Sequence, residues 1–268
     1  MVAANLLDLS NMIRLIEKVQ PDEIYNLASQ SSVGLSFEQP IGTVEFNVLS
    51  TINILEAIRM LALGARFYQA SSSEMYGNIK RLPVTEETAI HPVSPYGISK
   101  AAAHWTVVNY RETYGLFSCG GILFNHESVL RGRQFVTKKV VSTAVRISRR
   151  SKEKLIVGNL KVQRDWGYAP EYVKAMWMML QQERPDDYII ATGEPHSLHE
   201  FIEVTFGYLN LNCQDYVVVD ESLYRPSDIS IIYGDSSKAR TRLGWHYKLD
   251  FRELIRLLVN DELKSGEN

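Results

Sequence analysis

Tyr96 and Lys100 stand four residues apart in Tyr96-Gly97-Ile98-Ser99-Lys100, with Ser72 and Glu74 upstream. On a helix, residues four apart share a face. An ammonium beside a phenol favours the phenolate and lowers the tyrosine pKa from about 10. Such a tyrosine can take the proton of a sugar hydroxyl while hydride leaves the same carbon. A serine at the end of a neighbouring strand can hydrogen-bond the same oxygen. Tyr-x-x-x-Lys also arises on helices by chance, so alone it is a weak signal. Ser71-Ser72-Ser73-Glu74 reads in two ways. Ser71 with Glu74 three residues on spells a capping box. At the carboxyl end of a parallel strand, the same run stands where open α/β sheets take their ligands, with Glu74 as general base for a carbon acid beside a ketone.

Other residues with chemical potential are sparser. Asn125-His126-Glu127-Ser128 follows a strand ending at Phe124, either as a ligand-facing edge or as a loop satisfying its own backbone. Arg164, in Arg164-Asp165-Trp166-Gly167, and Arg225, in Tyr224-Arg225-Pro226, suit bidentate capture of a diphosphate or surface ion pairs equally. The six histidines are scattered. His196-x-x-His199 lacks the glutamate and spacing of a zinc helix, so no metal site is expected.

The elements that must position these groups alternate between strand and helix. A helix with Met12, Ile13, Ile16 and Val19 on one face is expected to start at a Ser10 cap and stop at Pro21. Strands are expected at 22–28, 66–70, 117–124 and 187–191, and helices at 43–61, 96–114, 133–150, 172–182, 197–209 and 250–264. This order predicts an α/β fold with a parallel sheet covered on both faces, and a smaller C-terminal subdomain woven onto it. The chain has 268 residues, 45% of them hydrophobic, and a net charge of −2. That is ample for a full core and argues against a nucleic-acid binder. Cys119 and Cys213 lie far apart, with neither metal nor disulfide spacing, and a reducing, cytoplasmic location is expected. No apolar run approaches the roughly 18 residues of a span, so no membrane partner is expected. The basic residues Arg146, Arg149, Arg150, Lys152 and Lys154 read as a solvated helix end.

Taken together, several runs resemble the extended short-chain dehydrogenase/reductases, and among them the GDP-mannose 4,6-dehydratase family. They are Tyr25-Asn26-Leu27-Ala28-Ser29-Gln30-Ser31, Gln69-Ala70-Ser71-Ser72-Ser73-Glu74-Met75-Tyr76-Gly77, Ser94-Pro95-Tyr96-Gly97 with Lys100, and Phe124-Asn125-His126-Glu127-Ser128. Phe135-Val136-Thr137-Lys138-Lys139, Arg164-Asp165-Trp166-Gly167, Ile190-Ala191-Thr192-Gly193 and Tyr224-Arg225-Pro226 continue the likeness, which covers nearly all of residues 5–264. The resemblance implies a Rossmann-like, doubly wound sheet. Residues 1–130 with part of 160–195 would form an NADP-binding domain, and 131–268 mainly a nucleotide-sugar subdomain. It implies GDP-mannose as substrate, a homo-oligomer (dimer or tetramer), and oxidation at C4, loss of water across C5–C6 and hydride return to C6. Ser72, Glu74, Tyr96 and Lys100 would be catalytic. Asn5, Leu6, Leu27, Ala28, Ser29, Gln30, Ser31, His126 and Arg131, with Tyr96 and Lys100, would meet the cofactor. Ser31, Ser72, Glu74, Asn125, Lys139, Arg164, Arg225 and Asp228 would meet the nucleotide sugar.

The sequence departs from this family at several points. No three of the 16 glycines have the Gly-x-x-Gly-x-x-Gly spacing that holds a pyrophosphate at a helix start. The resemblance places Met1 about 60 residues into the family pattern, two strand–helix units of about 30. An N-terminally truncated sheet is therefore expected, with an edge that partner subunits or a longer gene product would cover. Val93, Val129 and Asp228 replace an arginine, a proline and a glutamate. A GDP-sugar reductase or epimerase, and a silent nucleotide-sugar-binding protein, are the alternatives. Glu74 disfavours the first pair, because those reactions need no base there.

Overall fold

The computed structural model describes residues 1–265. Its first half alternates as expected: α1 (Leu9–Val19), β1 (Glu23–Asn26), α2 (Val33–Glu38), α3 (Pro40–Met60), β2 (Arg66–Ser72), α4 (Pro95–Tyr114), β3 (Ser118–Leu123) and β4 (Asn125–Glu127). The second half continues with α5 (Val136–Ser148), β5 (Leu155–Val157), β6 (Gln163–Tyr168), α6 (Ala169–Leu180), β7 (Tyr188–Ile190) and β8 (Pro195–Ser197). It ends with α7 (Leu198–Tyr208), β9 (Val217–Val219), β10 (Ile231–Ile232) and α8 (Phe251–Ser265).

Strands β1-β2-β3-β7 form one wholly parallel sheet in that order. Side chains alternate across it, as strand geometry requires. Phe67 packs with Met12, Ile16, Leu55, Ile58 and Val107 of α1, α3 and α4. Tyr68 packs on the other face with Tyr172, Met176, Met179 and Leu180 of α6. Helices thus cover both faces of the sheet. β3 is buried along its whole length, and its glycines make that possible. A Cβ on Gly121 would lie 2.2 Å from the Tyr68 hydroxyl oxygen.

The chain changes sheets at Phe124. Its amide donates to Ile190 O of the first sheet, while Asn125 pairs with Trp166 in a second sheet, β10-β6-β4, where β8 lies antiparallel to β6. β5 and β9 make a separate parallel pair. Asp165, on β6, staples the two sheets together. It is fully buried and accepts from the amides of Thr192 and Gly193 (both 2.9 Å), from the Thr192 hydroxyl (2.8 Å) and from the amide of Gly234. Burial holds its pKa up at about 6, even though all four donors favour the charged form.

Two expectations need correction. Asp8, not Ser10, caps α1: its carboxylate accepts from the Asn11 amide at 3.1 Å, and Ser10 sits inside the first turn. A carboxylate at an N-cap also meets the positive end of the helix dipole, which favours it over a hydroxyl. The second concerns apolar length. α3 has the length and hydropathy of a membrane span. It carries a buried polar stripe, Thr43, Asn47, Ser50 and Thr51, at the three- and four-residue spacing of one helix face, and this stripe packs inside the protein.

Asp165→Asn turns one acceptor oxygen into a donor aimed at N–H groups. We expect a loss of about 2 kcal/mol, measured by denaturant unfolding. An unchanged midpoint would show that the staple carries no stability.

Candidate active site

Four strand ends and the start of α4 surround a cleft of about 600 Å³. It opens beyond the carboxyl ends of β1, β2 and β3, where the chain switches sheets, the general ligand position of open α/β folds. Ser94 caps α4 by accepting from the Gly97 amide at 3.0 Å, and Pro95 supplies a preset φ in the first turn. This places Tyr96 at the helix start, 8% exposed. One turn on, the Lys100 ammonium lies 5.7 Å from the centre of the Tyr96 ring and donates to Ala70 O at 3.0 Å. Ser72 ends β2, and its hydroxyl accepts from the Glu74 amide at 3.3 Å. Glu74 follows in a tight 3₁₀ turn against α4. A Cβ on Gly97 would stand 2.6 Å from Glu74 O, so only glycine allows that approach. Ser72, Glu74, Tyr96 and Lys100 all line the cleft.

The electrostatics differ from the expectation drawn from Tyr96–Lys100 spacing. The Tyr96 pKa is pushed up to about 12, chiefly by burial; Ser72 and Arg131 pull it down and Glu74 raises it further. Lys100 approaches the ring face rather than the phenol oxygen, and its bond goes to the strand carbonyl. Burial also lowers Lys100 itself to about 8. Desolvation therefore outweighs the attraction that a shared helix face suggested. Burial raises the Glu74 pKa, while Arg164 and Arg225 pull it down.

The remaining residues divide into those that reach the cleft and those that do not. Leu27, Ser29, Ser31, Asn125, His126, Arg131, Lys139, Arg164, Arg225 and Asp228 line it. The backbone carbonyl of Phe124 accepts from His126 Nδ1 at 2.9 Å, and the ring stacks on Tyr172 with centres 5.0 Å apart. Burial holds His126 neutral, with its pKa at about 4. Arg164 is only 6% exposed. It donates to Gln163 O (2.9 Å), Ile229 O (2.6 Å) and Asp228 Oδ1 (2.9 Å), and Arg225 reaches the same Asp228 oxygen at 3.5 Å. Asp228 thus bridges two arginines.

Asn5 and Leu6 lie outside the cleft. They form the turn before α1, where the Asn5 side chain accepts from Leu7 N and Leu6 packs under α1 and α3. Ala28 and Gln30 do not line it either. The Gln30 side chain is spent on Ser32 O and Thr43 (both 3.0 Å), shaping the loop that presents Ser29 and Ser31.

Two structural contributors were not assigned a role from sequence. Asn47 of α3 accepts from the Gln30 amide (2.8 Å) and the Ser29 hydroxyl (3.0 Å), and donates to Gln30 O (3.1 Å) and Ser99 (2.9 Å). Ser99 in turn donates to Tyr96 O at 2.7 Å. The loop after β1 and the first turn of α4 are therefore joined through one buried amide. Its sequence signal was the polar stripe within α3. Glu127 is buried at the cleft wall, accepts from Thr137 at 2.6 Å and pairs with Arg131 at 3.3 Å. Its signal was the four-residue spacing from Arg131.

The cleft wall carries five basic side chains (Lys100, Arg131, Lys139, Arg164 and Arg225) against three carboxylates (Glu74, Glu127 and Asp228). That excess suits a polyanionic ligand. A neutral imidazole stacked on Tyr172, the serines after β1 and the Lys100 ammonium fit the nicotinamide and ribose end of a dinucleotide.

Folded Lys100 binds fewer protons than unfolded lysine between about pH 8 and about pH 10, so its burial makes stability rise with pH across that window. Relative to Lys100→Met, the wild-type protein is expected to gain on the order of 2 kcal/mol over the window, measured by denaturant unfolding at each pH. A flat difference would mean that the ammonium is solvated.

A model of the GDP-mannose 4,6 dehydratase family matches residues 1–258. GDP-mannose 4,6 dehydratase 2 of Arabidopsis thaliana is 48% identical over 268 residues, 98% of this chain and 72% of that protein. GDP-mannose 4,6-dehydratase of Sinorhizobium fredii is 44% identical over 278 residues, 97% of this chain and 79% of that protein. Among solved structures, RMD from Pseudomonas aeruginosa, complexed with NADPH, superposes with a TM-score of 0.90 at 24% identity, over 98% of this chain and 88% of that one. UDP-glucose 4-epimerase from Thermotoga maritima, with UDP-glucose, gives 0.87 at 23%, over 98% and 84%. These two likenesses speak for the fold. The matches to sequence relatives, which span nearly the whole chain, decide the rest: the chain belongs to the GDP-mannose 4,6-dehydratase family.

Proposed function

We propose that the protein converts GDP-mannose to GDP-4-keto-6-deoxymannose, using NADP without net redox change. The observation that carries this reading is the convergence of Tyr96, Lys100, Ser72 and Glu74 on one cleft with an excess of basic side chains. Membership of the family supports it. Glu74 separates it from epimerase or reductase chemistry, because a carboxylate opposite the phenol supplies the additional base that elimination needs.

Bound NADP would supply the hydride acceptor at C4 and the hydride donor at C6. Tyr96 takes the proton of the C4 hydroxyl, with Ser72 and Arg131 favouring its ionisation. The C4 ketone acidifies the neighbouring C5–H bond, and Glu74 removes that proton. Glu74 then gives a proton to the C6 hydroxyl, which leaves as water, and Ser72 hydrogen-bonds the sugar. Tyr96 returns its proton to C5. A raised carboxyl pKa suits a group that must act first as base and then as acid. Lys139 and Arg225 hold the diphosphate by charge. Arg164 keeps Asp228 and the Ile229 carbonyl in place beside it.

Purified protein incubated with GDP-mannose, with and without added NADP, is expected to form the 4-keto-6-deoxy product. Tyr96→Phe and Glu74→Gln should each lower kcat by about 10²- to 10⁴-fold. Glu74→Gln should still show the near-ultraviolet absorbance of reduced nicotinamide, since oxidation at C4 precedes the step it blocks. No product from the wild-type protein under either condition overturns the reading.

A further inference from the structure

Three successive turns of α4 meet three consecutive residues of β2. Tyr96 faces Ser72, Lys100 Nζ donates to Ala70 O at 3.0 Å, and His104 Nδ1 shares a 3.0 Å hydrogen bond with the Ser71 hydroxyl. The first two contacts belong to the site already described. The third is hidden beneath it. His104 is 6% exposed and Ser71 3%; Ser71 stands at the cleft wall, and His104 lies behind it without lining the cleft. Ser71 and Ser72 are neighbours on a strand, so they project to opposite faces of the sheet. Whatever holds Ser71 therefore also sets the direction of Ser72.

The surroundings of His104 are shaped for it. A Cβ on Gly120 of β3 would lie 2.8 Å from His104 Nδ1 and 2.7 Å from Asp187 Oδ1, so a glycine makes room for both groups. Asp187 in turn accepts from the Gly120 amide (2.7 Å) and from both Nη1 and Nη2 of Arg111 (3.0 and 2.6 Å). Arg111 lies seven residues beyond His104, on the same face of α4. The helix is thus pinned to the sheet at 100, 104 and 111. The pin at 104 alone is tied to the residue beside Ser72. Apolar packing leaves a helix free to rotate by small amounts on a sheet, whereas a directional hydrogen bond does not.

We propose that His104 and Ser71 form a positioning pair that sets the rotation of α4 on β2, and with it the meeting of the Tyr96 phenol with Ser72. The inference rests on the dehydratase reading for its activity readout. It concerns geometry at the reacting end, so it predicts a loss in kcat with little change in KM. A misplacement of about 1 Å at a reacting group can cost about 10²-fold.

The test compares His104→Leu, His104→Asn, Ser71→Ala and the double variant His104→Leu/Ser71→Ala in turnover of GDP-mannose, with thermal unfolding of each. An asparagine nitrogen or oxygen can occupy the place of the imidazole Nδ1. His104→Leu and Ser71→Ala should each lower kcat by about 10- to 100-fold with KM for GDP-mannose within about twofold. The double variant should be no worse than His104→Leu, as expected for partners in one contact. His104→Asn should recover most of kcat. Should His104→Leu fail to fold, the Ser71→Ala comparison with wild type stands alone. If the wild-type protein shows no turnover, the functional reading fails separately. The positioning pair is then read from the alkaline difference-absorbance titration of the Tyr96 phenol, with Tyr96→Phe as blank. That titration should shift in Ser71→Ala and stay in place in His104→Asn. Equal kcat losses in His104→Asn and His104→Leu, additive losses in the double variant, or unshifted titrations throughout would overturn the proposal.

Discussion

The placement of one ammonium group governs the cleft. Lys100 is 4% exposed, and its bond within the protein goes to the carbonyl of Ala70. Removing a charged amine from water costs several kcal/mol unless it is paired and hydrogen-bonded. The protein meets part of that cost by letting the pKa fall to about 8. A buried ammonium with so few partners breaks the ordinary rule for interiors, and such departures are tolerated where they serve a site. Its consequence is mechanical as well as electrostatic, because it draws α4 down onto β2 at the residue that leads into Ser71, Ser72 and Glu74.

From that contact a polar framework spreads through what would otherwise be an apolar layer. Asn47 connects the loop after β1 to Ser99, and Ser99 connects to the backbone of Tyr96. Beneath it, Asn26 donates to Gln69 at 2.8 Å between β1 and β2. In a low-dielectric interior each of these groups is expensive to leave unpaired. The arrangement is therefore close to all-or-none, and the serines of the β1 loop and the first turn of α4 are held in register. On the other side of the cleft, Asp165 performs the same service for the second sheet. It ties β6, which carries Arg164, to the segment that follows β7. The two halves of the cleft are thus built on separate sheets and fastened by buried polar side chains.

Most of the first sheet was legible from sequence, because strand–helix alternation and apolar periodicity are local signals. The strands expected at 66–70, 117–124 and 187–191 appear within a few residues of those limits, and Ser94-Pro95 announces the start of α4 through cap chemistry. The capping box suggested for Ser71 and Glu74 did not form as expected. Ser72 is the residue that caps the short turn, and Ser71 turns away to His104. Strand alternation decides that, and one sequence with three serines in a row cannot reveal the phase. Likewise Arg164 and Arg225 looked equivalent. Packing buries the first among backbone carbonyls and leaves the second exposed.

What the amino-acid sequence determined by itself is the kind of chemistry available: a phenol and an amine one helical turn apart, a serine-rich strand end with a carboxylate, and motifs that identify the family. These are matters of residue type and short spacing, which survive without knowledge of the fold. Only the tertiary structure decided the protonation of those groups and which of them face a common space. Burial pushes Tyr96 up, Lys100 down and Glu74 up, and burial is a sum over atoms contributed by distant segments of the chain. Asn5 and Leu6 fall outside the cleft and Glu127 falls within it for the same reason: distance in space is set by how helices and sheets pack, and no local pattern encodes it.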